Sequence, residues 1–182
     1  MNSDDAARSE QRRHASYHEA GHPVAAIDGG IAVGCVSIRQ ESDGSLEGHT
    51  HTSFCVPDRP HQRLEPKELE RLKGGIVVAL AGDIAEEVLL GAVRPTPAVS
   101  KECQHDEFMA QKLLSIVQPW DSPALRKICE DRARVLIRQK RGAVEALAER
   151  LLAMESISGA EIENNVGEHP PCDSCAARSP QP

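Results

Sequence analysis

The chain is expected to fold as a mostly α-helical domain with a small β-hairpin, on three observations. Aromatic residues are scarce: Tyr17, Phe54, Phe108 and Trp120 are all there are among 182 residues. A core built from Leu, Ile, Val and Ala suits packed helices. Apolar residues also recur at helical spacing, most clearly at Val77, Leu80, Ile84 and Val88, as one buried helix face requires. Finally, one pair of short segments, 33–39 and 46–52, reads as strands around the polar turn Glu41-Ser42-Asp43-Gly44.

Taken in order, residues 1–8 read as disordered and a first helix is expected from about Ser9 to Asp28, stopped by Gly29-Gly30. Pro23 lies inside it. Lacking an N–H, Pro23 should disturb the bond to the Glu19 carbonyl and bend the helix just after His22. The hairpin follows, then a loop from Phe54 to Arg63 carrying Pro57 and Pro60. A long helix is expected from Pro66, with proline in the tolerated first position, broken near Gly74-Gly75 and ended by Gly91. Pro95 and Pro97 mark another loop. Ser100 is placed to cap a helix from Lys101 to about Val117. Pro119 and Pro123 separate that helix from a last long one over 123–154, and Gly159-Ala160-Glu161-Ile162 opens a short final turn or helix. The folded domain is thus 9–165. Residues 166–182, poor in apolar side chains, read as a disordered tail.

The length suits one domain with a real core. A net charge of −7 argues against general nucleic-acid binding. The basic residues from Arg126 to Arg141 are interleaved with acids, as on a solvated helix face. No apolar run approaches the roughly 18–20 residues needed to span a bilayer, and the first ten residues lack a signal peptide's apolar centre. A cytoplasmic location is therefore expected. The six cysteines (Cys35, Cys55, Cys103, Cys129, Cys172 and Cys175) follow no framework spacing and read as reduced thiols. Cys172 and Cys175 form a lone C-x-x-C, whereas a structural zinc site would want a second pair.

The chemistry concentrates in Tyr17-His18-Glu19-Ala20-Gly21-His22, which contains His-Glu-x-x-His. On a helix its histidines sit one turn apart on one face. That spacing suits zinc, whose tetrahedral coordination wants imidazole nitrogens about 2.0–2.1 Å from the metal. Glu19 is placed to take the proton of a water in the open fourth position, whose pKa zinc lowers to roughly 7. Metal-assisted hydrolysis of an amide bond is implied. The fold to expect is a zincin-like helical domain with the hairpin beside the motif helix. A third protein ligand is needed, and the helix after Ser100 offers His105, Asp106 and Glu107 in a row. Spacing alone does not choose among them. Glu86 and Glu87 are further acidic candidates, with an ion-paired or ligand-supporting role as the simpler reading. His14, one turn before His18, reads as a surface or supporting group, and His49 and His51 as surface residues of the second strand.

The same stretch resembles the hallmark of the peptidase domain of the FtsH-type, AAA-linked zinc metalloproteases. Val36-Ser37-Ile38-Arg39, with Gly44 and Gly48, resembles the strand pair of that domain. Leu80-Ala81-Gly82-Asp83-Ile84-Ala85-Glu86-Glu87, closed by Leu90-Gly91, resembles its Ala/Gly-Gly-Arg-x-Ala-Glu-Glu helix. His105-Asp106-Glu107-Phe108-Met109-Ala110 falls where the family has its Asp-containing helix. Leu151-Leu152 to Glu155, then Ser158 to Ile162, resembles its closing segment. The resemblance spans roughly residues 12–165. It implies His18, His22 and Asp106 as zinc ligands and Glu19 as general base. The activity implied is that of a zinc-dependent endopeptidase cutting unfolded or flexible polypeptides. An edge strand of the sheet would hold the substrate by strand addition.

The departures are specific. The ATPase module and membrane segments of the family have no counterpart, and no G-x-x-x-x-G-K-[ST] loop is present. A separate ATPase or a homo-oligomer is the partner to expect besides the polypeptide substrate. Asp83 stands where the family usually has Arg, Pro23 replaces a small helix-friendly residue, and Lys101-Glu102 replaces Thr-Gly. None of these removes a ligand or the base. The alternative reading is a non-catalytic interaction module that keeps the fold, with or without the metal.

Overall fold

Helix α1, Ser3–Asp28, is the axis of the fold in a computed structural model that describes residues 3–40, 46–54, 64–91, 101–117 and 121–168. It starts within the stretch expected to be disordered. Residues 5–11 are exposed, so they carry no apolar period to read. They extend a helix nucleated further on, where each added residue contributes a bond at little cost. The second half of α1 is buried through Ala20, Val24, Ala25 and Ala26, together with the polar Ser16, His18, Glu19 and His22. The helix runs on through Pro23 to Asp28.

The hairpin forms as expected, from β1 (Val33–Gln40) and β2 (Leu46–Thr52). Unforeseen was a third strand, β3 (Ser156–Ser158), which gives an antiparallel sheet in the order β2-β1-β3. Three residues are too few to show a period, and only Ile157, buried opposite Val36, anchors the strand. A bulge between Val33 and Cys35 adds one residue to β1, so that Val33, Val36 and Ile38 all turn inward. β2 is an edge strand lying against α1.

Helix α2, Pro66–Ala85, starts with proline in its first turn, as the sequence predicts. The break expected at Gly74-Gly75 does not occur. Leu72, Ile76, Val77 and Leu80 are buried on both sides of the glycines, each worth about 1.5–3 kcal/mol on burial. That outweighs roughly 1 kcal/mol per glycine. A π-helical turn, Glu86–Leu90, continues α2 and is capped by Gly91 at φ 67°, the left-handed geometry glycine tolerates.

Helix α3 (Lys101–Leu114) packs on α2. The single helix expected over 123–154 is instead two, α4 (Ser122–Gln139) and α5 (Arg141–Met154), hinged at Lys140. Their apolar faces have different partners, α2 for α4 and α1 for α5, and one straight helix of roughly 48 Å could not reach both. Helix α6 (Gly159–Glu168) runs a few residues into the stretch expected as tail. Its start is capped reciprocally: Ser158 N–H and Oγ–H donate to Glu161 Oε2 at 3.1 and 2.7 Å, and Glu161 N–H donates back to Ser158 Oγ at 3.4 Å.

No helix among the described residues is long and apolar enough to cross a membrane. Cys35 and Cys129 are free thiols, one exposed and one buried. The expected turn at 41–44, the loop prolines 57, 60, 95, 97 and 119, the Ser100 cap, and Cys172 with Cys175 lie outside the described residues.

Candidate metal centre

Three elements converge on the buried half of α1. The His-Glu-x-x-His spacing sets His18 and His22 one turn apart, with ring centroids 4.9 Å apart and planes at 75°. Each ring is fixed from behind through Nδ1. His22 Nδ1 donates to the Val78 carbonyl of α2 at 2.8 Å, and His18 Nδ1 to Glu86 Oε1 at 2.9 Å. From α3, Asp106 Oδ2 approaches His18 Nε2 at 2.9 Å and His22 Nε2 at 3.1 Å.

This donor set calls for a cation. A carbonyl only accepts, so His22 Nδ1 carries a hydrogen, and the Glu86 carboxylate asks the same of His18. In a neutral imidazole, Nε2 is then a lone pair. Two such lone pairs and a carboxylate oxygen can meet only around positive charge, either protons or a metal ion. Ligand atoms of a tetrahedral zinc lie roughly 3.3 Å apart, close to the separations found. The buried group His18, Glu19 and His22 can hold a metal ion, their ligand atoms lying within 4.8 Å of one another. Asp106 Oδ2 is a further ligand atom within 3.1 Å of both imidazole Nε2 atoms, and the Glu19 carboxylate accepts from a hydroxyl.

Two close approaches show why small residues are needed around this group. A Cβ on Gly82 of α2 would lie 2.5 Å from His22 Nε2 and 2.7 Å from His18 Nε2. A Cβ on Gly48 of β2 would lie 2.2 Å from Glu19 Oε1. Neither position has room for alanine without moving the motif.

Glu19 is positioned by Thr50 of β2, which donates to Glu19 Oε2 at 2.8 Å and lies 3.4 Å from the Glu19 carbonyl. That carbonyl is the one whose helical donor Pro23 removes. The proline expected to disturb the helix thus frees an acceptor toward the sheet. Thr50 went unnoticed in the sequence, and Pro23, four residues after Glu19, was the available signal.

The electrostatics follow from the burial. Burial alone would depress His18, but hydrogen bonds to Asp106 and Glu86 and the charges of Glu19 and Asp106 outweigh it, holding its pKa well above 6.5. His22, also opposed by burial, is raised by the charge and hydrogen bond of Asp106. Burial would raise Asp106, yet the two histidines hold it far below the usual carboxylate range. Glu19 is raised by burial against the opposing pull of His22, His18 and Thr50.

The structure separates the remaining expectations. Of the acidic run on α3, Glu107 turns away to a two-pronged pair with Arg126 at 2.8 and 2.9 Å, and His105 is exposed on the cleft rim. Glu87 pairs with Arg134 at 2.8 Å, while Glu86 supports His18. His49 and His51 are exposed. Asp83 Oδ1 lies 3.5 Å from His18 Nδ1. A cleft of about 450 Å³ opens beside Glu19, His22 and Asp106, walled by 47–50 of β2 and floored by Phe54, Val78, Met109 and Leu113. Consecutive strand residues line it, so the backbone edge of β2 forms that wall. Compared with protein-family models and with curated proteins, the chain matches none.

Proposed function

We propose that the chain is a zinc-dependent endopeptidase, a relative of the FtsH-type peptidase domains, acting on unfolded or flexible polypeptides. The observation that carries this reading is the meeting of His18 Nε2, His22 Nε2 and Asp106 Oδ2 beside a buried Glu19 at the foot of a cleft. His18, His22 and Asp106 would hold the zinc. When bound, the ion supplies Lewis acidity toward a substrate carbonyl and toward water.

The chain's own residues do the rest. Glu19, held by Thr50, accepts a proton from water and returns it to the leaving amine. Burial raises its pKa above the ordinary carboxylate value, the direction that favours returning the proton it takes. The outer edge of β2 in the sheet order β2-β1-β3 is where an extended substrate backbone would pair, and strand pairing demands a segment without fixed structure. Folded proteins would need a separate ATPase or an oligomer to feed them in.

The test combines zinc analysis with cleavage of an unfolded, quenched-fluorophore casein. About one zinc per chain and cleavage that a chelator abolishes are expected, with Glu19→Gln losing on the order of 100-fold or more. Full activity in Glu19→Gln would sink the mechanism. Bound zinc with no cleavage would favour the interaction module.

A further inference from the structure

We infer that His14 is a positioning residue for His18, acting through the Glu86 carboxylate and thereby setting the affinity of the centre for its metal. The inference rests on the proposed zinc site and adds a residue outside it. His14 and His18 lie one turn apart on α1, on the stripe that faces the first residue of the π-helical turn. Glu86 uses one oxygen for each ring: Oε1 meets His18 Nδ1 at 2.9 Å and Oε2 meets His14 Nδ1 at 2.9 Å. The far nitrogen of His14 faces Glu10 Oε1 at 3.4 Å, near the surface.

A carboxylate held by one ring can rotate about its last bond, and its second oxygen is then free to compete for the metal or for water. Held by two rings, it presents a fixed acceptor to His18 Nδ1. That acceptor fixes the hydrogen on Nδ1, keeps the Nε2 lone pair toward the metal position and raises its basicity. Asp83 Oδ1 also lies near that Nδ1, at 3.5 Å, too long for an equivalent bond. His14 is about one-third exposed at its side chain. It contributes little to the core, so its effect on the metal separates from any effect on folding.

The experiment measures zinc affinity of the full chain by competition with a chromophoric chelator, alongside thermal unfolding of the metal-free protein. His14→Ala is expected to weaken zinc binding roughly tenfold, in line with other groups that orient a ligand from behind, while leaving metal-free unfolding nearly unchanged. His14→Gln, which retains a side-chain donor, should recover part of the loss. In a Glu86→Gln background the effect of His14→Ala should vanish, because its route is gone. Wild-type zinc affinity in His14→Ala would overturn the inference while leaving the zinc site standing. An undiminished effect in the Glu86→Gln background would overturn the route through Glu86. A parent chain that binds no zinc would overturn both this inference and the function proposed above.

Discussion

At the scale of single residues, the centre depends on what is missing as much as on what is present. Gly82 is required because its absent side chain is the space into which both imidazole Nε2 atoms point. Gly82→Ala is expected to lower zinc affinity more than tenfold with the fold retained, measured by chelator competition beside circular dichroism. Thr50 is the opposite case, a side chain that must be there. Thr50→Val keeps the shape and removes the hydroxyl that holds Glu19, so turnover should fall roughly tenfold or more while bound zinc stays at its wild-type level. A third residue is strained without serving the site. Glu155 ends α5 at φ 61°, where a side chain is costly, and its pair with Arg12 is largely exposed and worth little. Glu155→Gly should therefore stabilise the chain by about 0.5–1 kcal/mol in denaturant unfolding.

At the scale of elements, each wall of the site comes from a different part of the chain. α1 supplies the motif, α2 the glycine and the Val78 carbonyl, β2 the hydroxyl and the cleft edge, and α3 the aspartate. α3 touches α4 through the paired Arg126 and Glu107, one residue along from Asp106. Arg126→Ala should loosen α3 and weaken zinc binding severalfold. The pair is one-third exposed, so the melting temperature should move by only a degree or two. The motif, the hairpin and the proline-led start of α2 were legible because local chemistry governs them. The hinge at Lys140 and the strand at Ser156–Ser158 were not. Both depend on which surface a segment finds to bury against, and no local period encodes that.

At the scale of the whole molecule, the centre couples folding to protons and to metal. In the metal-free protein, the raised pKa values of His18 and His22 mean that folding favours their protonated forms. That stabilisation is complete below pH 6.5 and lost as pH rises through the folded values. The depressed Asp106 works at the other end: its contribution stands above pH 3.8 and is lost in acid. Metal must displace the histidine protons, so zinc affinity runs the other way, rising with pH by up to about tenfold per unit for each proton released. Melting curves from pH 5 to 9, with zinc and with a chelator, should therefore converge toward acid and diverge toward alkali. At zinc a hundredfold above its dissociation constant the gap should reach about 2.7 kcal/mol. A gap independent of pH would mean that the histidines are not the ligands.

By itself, the sequence determined the helical class, the hairpin, and the chemical character of the centre, because those follow from composition, period and a five-residue spacing. Spacing could not choose Asp106 over His105 and Glu107, since any of three neighbours on a helix can be the one that faces inward. The resemblance pointed to Asp106; the packing of α3 on α2 turns Asp106 toward the histidines and Glu107 toward Arg126. Only tertiary structure could also reveal that Thr50, Gly48 and Gly82 serve the site, and that Glu86 faces two histidines at once. These are contacts between residues far apart in the chain, and their partners are decided by how the buried faces of α1, α2 and the sheet fit together.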